Sequence, residues 1–215
     1  MKKILFPLLC CLVAFWSCNM KGSYSANNVQ DIVTVGDHEL VSDTGVKYYV
    51  LEVPKDAPAL EVGKRYYIVF DILNIDYDIS VSSVIPVQIV VPTEASAQEE
   101  ITANDPISVS FNWIGRSYID IGFTYYYDET SDCAHEVFAR YALSHGNSVL
   151  NLALYHDGNN ENPAHMDEKA LKTGTRIISI PIYQWDLSSV TVSIDVLTKN
   201  ADGTYVVERK EFSSQ

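Results

Sequence analysis

Oxygen-bearing side chains crowd one short stretch, Asp157 to Glu168 (DGNNENPAHMDE), at offsets that suit a hard divalent cation. Aligned to an EF-hand calcium loop, Asp157, Asn159 and Glu161 take positions 1, 3 and 5, the Pro163 carbonyl takes position 7, and Glu168 takes position 12. The sixth position carries Asn162 where the sharp turn wants glycine, and a strand pattern leads into the loop instead of a helix. A solvated turn competes with the metal reading, because Asn, Asp and Gly tolerate positive φ. No cofactor is expected, and calcium is the only one whose ligand spacing the sequence approaches.

Other chemistries find less. The chain has no G-x-S-x-G, no S-x-x-K and no glycine-rich phosphate loop. Its five histidines form no H-E-x-x-H pattern, and His156 and His165 make only a loose pair across a loop, short of a zinc ligand set. A glycosidase needs two carboxyl groups a few ångströms apart. Asp71, Asp76, Asp78 and Asp120 lie on or beside strands, and charge-rich strand ends are the better reading of them. No catalytic residue is expected and the protein is read as a non-enzyme. Tyr125, Tyr126 and Tyr127 are consecutive, so on a strand Tyr126 leaves the face shared by Ile121 and Tyr125. An exposed Tyr126 could stack on a sugar ring, although tyrosine is also simply favoured in strands.

The elements that must position these residues are strands. Ile107, Val109, Phe111 and Trp113 alternate with polar residues, as do Ile119, Ile121, Phe123 and Tyr125, then Leu150, Leu152 and Leu154, then Val190, Val192, Ile194 and Val196. The fold class is all-β: a small OB-like barrel over residues 29–91, followed by an antiparallel β-sandwich over 106–215. The acidic, proline-bounded stretch 92–105 separates them as a linker. Five strands are expected in the first unit, the last over Val84 to Val91, and seven in the second. One larger β domain is the alternative.

The N-terminus supplies an address. Lys2 and Lys3, the apolar run Ile4 to Trp16, and Ser17 before Cys18 read as a secretory signal over 1–17. Cys18 follows a small residue at the polar boundary and is the expected lipidation site, with 18–28 as a tether. Cys133 is then the only other cysteine, so no internal disulfide is expected, and a lone cysteine is more often inert than reactive. Removing the signal leaves 13 basic against 28 acidic residues, a formal charge of −15. That excess argues against nucleic acid as a partner. The expected location is the cell envelope, lipid-anchored at the outer membrane. The absence of acids just after Cys18 favours the periplasmic face.

VGKRYYIVFDIL (Val62 to Leu73), DPISVSFNW (Asp105 to Trp113) and LNLALYHDGNNENP (Leu150 to Pro163), set in this order, resemble the NigD-like lipoproteins. The most recognisable positions are Gly63 and Arg65, then Leu152, Leu154, His156 and Asp157. The resemblance implies a lipoprotein signal, an N-terminal OB-like domain and a C-terminal β-sandwich, and it implies no catalytic residues. The function expected is a non-catalytic binding or structural role in the bacterial envelope. Partners are the membrane through the lipid and an envelope protein or a glycan. An interaction module would show an exposed apolar patch or a free sheet edge, a glycan binder exposed coplanar rings, and a hydrolase a pocket with perturbed titratable groups.

Overall fold

The computed structural model describes residues 25–95, 105–131, 134–163, 166–199 and 202–213. The signal, Cys18, most of the tether, Cys133 and His165 lie outside them. Among the described residues no helix is long and apolar enough to cross a membrane.

Five strands close a barrel: β1 (Ala26–Val35), β2 (Leu40–Ser42), β3 (Lys47–Glu52), β4 (Arg65–Ile72) and β5 (Asp78–Pro86), in the order β1-β2-β3-β5-β4. Alternating residues fill it, with Val33, Ile68, Phe70 and Ile79 fully buried. Strand β5 starts earlier than the expected Val84. The serines at 80, 82 and 83 mask its alternation, and a bulge opposite Val69 and Phe70 shifts its register.

The sandwich has two sheets. One orders β6 (Gln88–Ile89), β12 (Lys172–Pro181), β9 (Tyr118–Tyr127) and β8 (Ser108–Ile114). The other orders β14 (Tyr205–Ser213), β13 (Ser189–Lys199), β11 (Val149–Asp157), β10 (Glu136–Ser144) and β7 (Thr93–Glu94). Between them lie Ile119, Ile121, Phe123, Leu150, Leu152, Leu154, Ile178 and Ile194.

The boundary expected at 91/92 needs correction. The Val87 N–H still donates to the Arg65 carbonyl, but the Val90 N–H donates to Ser179 in the sandwich, and β6 pairs with β12. Thr93 and Glu94, expected in the linker, pair with Arg140 and Tyr141 as β7. Their side chains offered no alternation to read, because two-residue strands have no period. The pairing is also not wholly antiparallel. After β11 the chain crosses to the other sheet as β12 and returns as β13, which therefore runs parallel to β11.

Strands buried on both faces mark where the units meet. On β1, Val33 points into the barrel while Ile32 packs with Val87 and Ile177 against Tyr67 and Phe111. On β9 and β12, Asp120 and Ser179 sit on the outer face of the sheet, opposite the sandwich core, and are buried under the barrel.

Candidate functional site

Arg65, the first residue of β4, is where the two units lock. Its side chain is 1% exposed. Nη1 and Nη2 grip the Asp43 carboxylate at 2.7 and 2.9 Å, and Nη2 also reaches both oxygens of Asp120 at 3.1 Å. Nε donates to the Ser179 hydroxyl at 2.9 Å, Ser179 donates to Asp120, and the guanidinium lies 3.8 Å over the Tyr118 ring. The planar fork with five donors suits two carboxylates in a way a lysine could not. Burial pushes the Asp120 carboxyl up to about 6, against the lowering pull of Arg65 and the Ser179 hydroxyl. Burial likewise raises the Tyr118 phenol.

The lock fixes one wall of a groove of about 900 Å³ at the seam. Asp43, Thr44 and Gly45 come from the β2–β3 turn, Ile114 from the end of β8 with Gly115 and Arg116 from the turn after it, and Ile182 and Trp185 to Ser188 from the β12–β13 connection, with Ser189 and Val190 opening β13. The turns approach closely: a Cβ on Gly115 would come within 3.6 Å of the Asp43 carboxylate. Trp185 is half-buried and packs on Tyr141 with ring centroids 4.7 Å apart. Arg116 and Asp186 are exposed on the rim. Apolar floor, one indole, two carboxylates, a guanidinium and hydroxyls make a surface that can bind and orient a mixed polar and apolar ligand. None of the described residues lining it is His, Cys or Lys.

The proposed calcium ligands do not converge. Among the described residues no group of three or more His, Cys, Asp or Glu side chains is placed to hold a metal. The loop instead wraps a carboxylate: Asp105 accepts from the Gly158 N–H at 2.9 Å, the Asn160 N–H at 3.0 Å and the Asn162 side-chain amide at 2.8 Å. A loop that aims N–H donors at its centre is built for an anion, and its own chain supplies one. Asn159 and Asn160 have positive φ, as the turn reading requires. Asp157 accepts the Asn159 N–H, and Glu168 begins a 3₁₀ turn, Glu168–Ala170. Glu161 turns inward to accept from the Asp128 N–H at 2.6 Å and faces His135 Nε2 at 3.3 Å.

That contact begins a buried chain, with His135 Nδ1 lying 3.2 Å from His156 Nε2. Burial, helped by His135, pushes His156 down to about 4 against the pull of Asp105, so its imidazole is neutral at physiological pH. Burial pushes Glu161 up, but hydrogen bonds from Ser131, Asp128 and His135 outweigh it and hold the carboxyl below its usual range. The His156 Nδ1 atom is buried with no partner among the described residues. The chain lies outside the groove and closes the end of the sandwich, where Tyr125 packs on both imidazoles.

Tyr126 pairs with Thr173 in the β9–β12 ladder and is half-buried, away from the groove. The suggested carboxylate pairs are also occupied: Asp71 accepts the Asn28 N–H, and Asp78 accepts from Asn74. Arg65 and Trp185 were visible as residues in the sequence, but nothing local placed them at a common seam. Asp105 opens a stretch that carries the family resemblance, but nothing in the sequence ties it to the 157–162 loop.

Residues 88–208, more than half of the chain, match the family described as the NigD-like C-terminal beta sandwich domain. Three crystal structures are similar in fold. A NigD-like immunity protein from Bacteroides caccae has a TM-score of 0.58 and 18% identity, covering 88% of this chain and 98% of its own. A Bacteroides vulgatus protein of unknown function has a TM-score of 0.59 and 13% identity, covering 88% and 91%. A Bacteroides fragilis protein provisionally described as a lipoprotein has a TM-score of 0.57 and 13% identity, covering 86% and 97%. No curated protein matches this sequence.

Proposed function

The chain belongs to the NigD-like family, and from that premise we propose that it is a non-catalytic binding module of the bacterial envelope, held by a lipid on Cys18 and capturing its partner in the seam groove. The observation that carries this reading is the groove itself, walled by both units and held in shape by Arg65. A groove shared by two locked units is pre-organised, which cuts the ordering cost of binding. The provisional lipoprotein description of one structural relative supports envelope association, and Ser17–Cys18 supplies the acceptor for the lipid. The outer membrane with the body facing the periplasm is the location proposed. An excess of acid disfavours nucleic acid as the occupant, and no metal or other cofactor is required.

The occupant favoured here is an envelope protein segment. The half-buried indole of Trp185 on the groove wall supports a second reading, a glycan stacked on that ring.

The test is capture from the native envelope in mild detergent with the lipidated protein and its Trp185→Ala/Arg116→Ala variant, with a glycan array alongside. A stoichiometric protein held by the parent and lost by the variant supports the first reading. A glycan signal lost in the same variant moves the function to carbohydrate capture. Equal capture by both forms overturns the groove, and Cys18→Ala remaining in the membrane fraction overturns the anchor.

A further inference from the structure

The barrel end that receives the chain from Cys18 carries its own apolar surface. Register places the start of β1 beside the end of β4, Ala26 opposite Ile72, so residue 26 and the β4–β5 turn share one pole. The turn exposes Leu73, Ile75 (62%) and Tyr77. Tyr49 of β3, whose N–H donates to the Tyr77 carbonyl, continues the surface with Leu51 (61%). The opposite end of the barrel, with Arg65 and Val87, is buried against the sandwich. The apolar pole therefore points away from the rest of the body.

We propose that this pole docks on the phospholipid surface, so that Ile75, Leu73 and Leu51 enter the interface. The proposal rests on the Cys18 anchor proposed above. Seven residues lie between Cys18 and Ala26, and the eight steps from one to the other reach roughly 28 Å when fully extended. An anchor at that distance keeps this pole, before any other part of the body, at the bilayer. Docking is then intramolecular, and a patch too weak to hold a free protein suffices. Tyrosines at its edge suit the headgroup level, where an amphipathic ring has one wet end. Glu52 and Asp76 are exposed at the same pole. They select a zwitterionic surface over an anionic one.

The experiment uses the mature protein purified from membranes, its acylated Cys18 peptide verified by mass. It is reconstituted in vesicles of phosphatidylethanolamine and phosphatidylcholine carrying a photo-activatable phospholipid. Lipid adducts are expected on peptides spanning 47–53 and 73–78. Leu51→Asp/Ile75→Asp, at exposed positions, is expected to lose them about tenfold while staying vesicle-bound through the lipid. Adducts spread over the sandwich, or none at this pole in the parent, overturn the proposal without reference to any variant. In intact envelopes, a photo-crosslinking amino acid at position 75 that gives a discrete protein adduct instead of lipid also overturns it. An unmodified Cys18 removes the anchor reading alone. The pole is then tested with Cys18 coupled to a maleimide phospholipid in a Cys133→Ser background, with the same two outcomes.

Discussion

Replacing Arg65 with Met keeps a long side chain and removes the charge, leaving the Asp43 and Asp120 carboxylates without the guanidinium they shared. Asp120 is 2% exposed and retains only Ser179. Removing one member of a buried ion pair costs about 3 to 5 kcal/mol, because the other charge stays buried without its counterion. For a body of this size each kcal/mol moves Tm by about 2 to 4 °C, so Arg65→Met is expected to melt roughly 10 °C below the parent. The Asp120 carboxyl is already held at about 6, above its ordinary 3.8. A raised carboxylate gains stability for the fold as pH drops through that value, and loses it as pH rises. Without Arg65 this penalty grows, so the defect is expected to be largest near pH 8 and to shrink by pH 5. Arg65→Met/Asp120→Leu should recover about half of the loss by removing the stranded charge. Urea unfolding followed by near-UV circular dichroism at both pH values measures all three. A loss below about 1 kcal/mol for Arg65→Met, or no dependence on pH, refutes the lock as the feature that joins the units.

His156 is held at about 4, so it is protonated in the unfolded chain before it is in the folded one. The stability it contributes is full above pH 6.5 and falls by about 2 kcal/mol at pH 5; His156→Gln should flatten that acid limb in urea midpoints. A Cβ on Gly122 would stand 2.2 Å from the Phe111 ring, which is packed between Tyr67 and Trp113. Gly122→Ala should therefore cost about 1 to 3 kcal/mol by calorimetry and disturb Trp113 fluorescence. Asp105→Ala strands three donors and should cost about 3 kcal/mol or more, whereas Asp157→Ala and Glu168→Ala should stay within about 0.5 kcal/mol. Calcium or a chelator should leave Tm unchanged for the parent, and a rise with calcium would restore the metal reading.

Strands with one wet face were legible because their period of two repeats over several residues. The alternation from Ile119 to Tyr125 falls within β9 (Tyr118–Tyr127), and that from Leu150 to Leu154 within β11 (Val149–Asp157). Polar residues on an outer sheet face misled for a different reason. Asp120 and Ser179 look solvated in an alternating strand, and their burial depends on the barrel, whose Arg65 lies 55 and 114 residues earlier in the chain. The same holds for Asp157 to Glu168. The loop has calcium-like spacing, but an aspartate distant in sequence takes the centre, and only tertiary structure brings Asp105 there. Trp185 and Arg116 meet at the groove through turns from different strands, so no spacing records their proximity.

The claim that the seam groove holds an envelope partner is tested most directly in living cells, with a photo-crosslinking amino acid placed at Ser188 on the groove wall and, separately, at Glu208 on the exposed edge strand β14. A discrete adduct from position 188 that disappears in the Trp185→Ala/Arg116→Ala background, with none from position 208, is the predicted result. Adducts from position 208 alone, or an adduct from 188 that survives both substitutions, would contradict it.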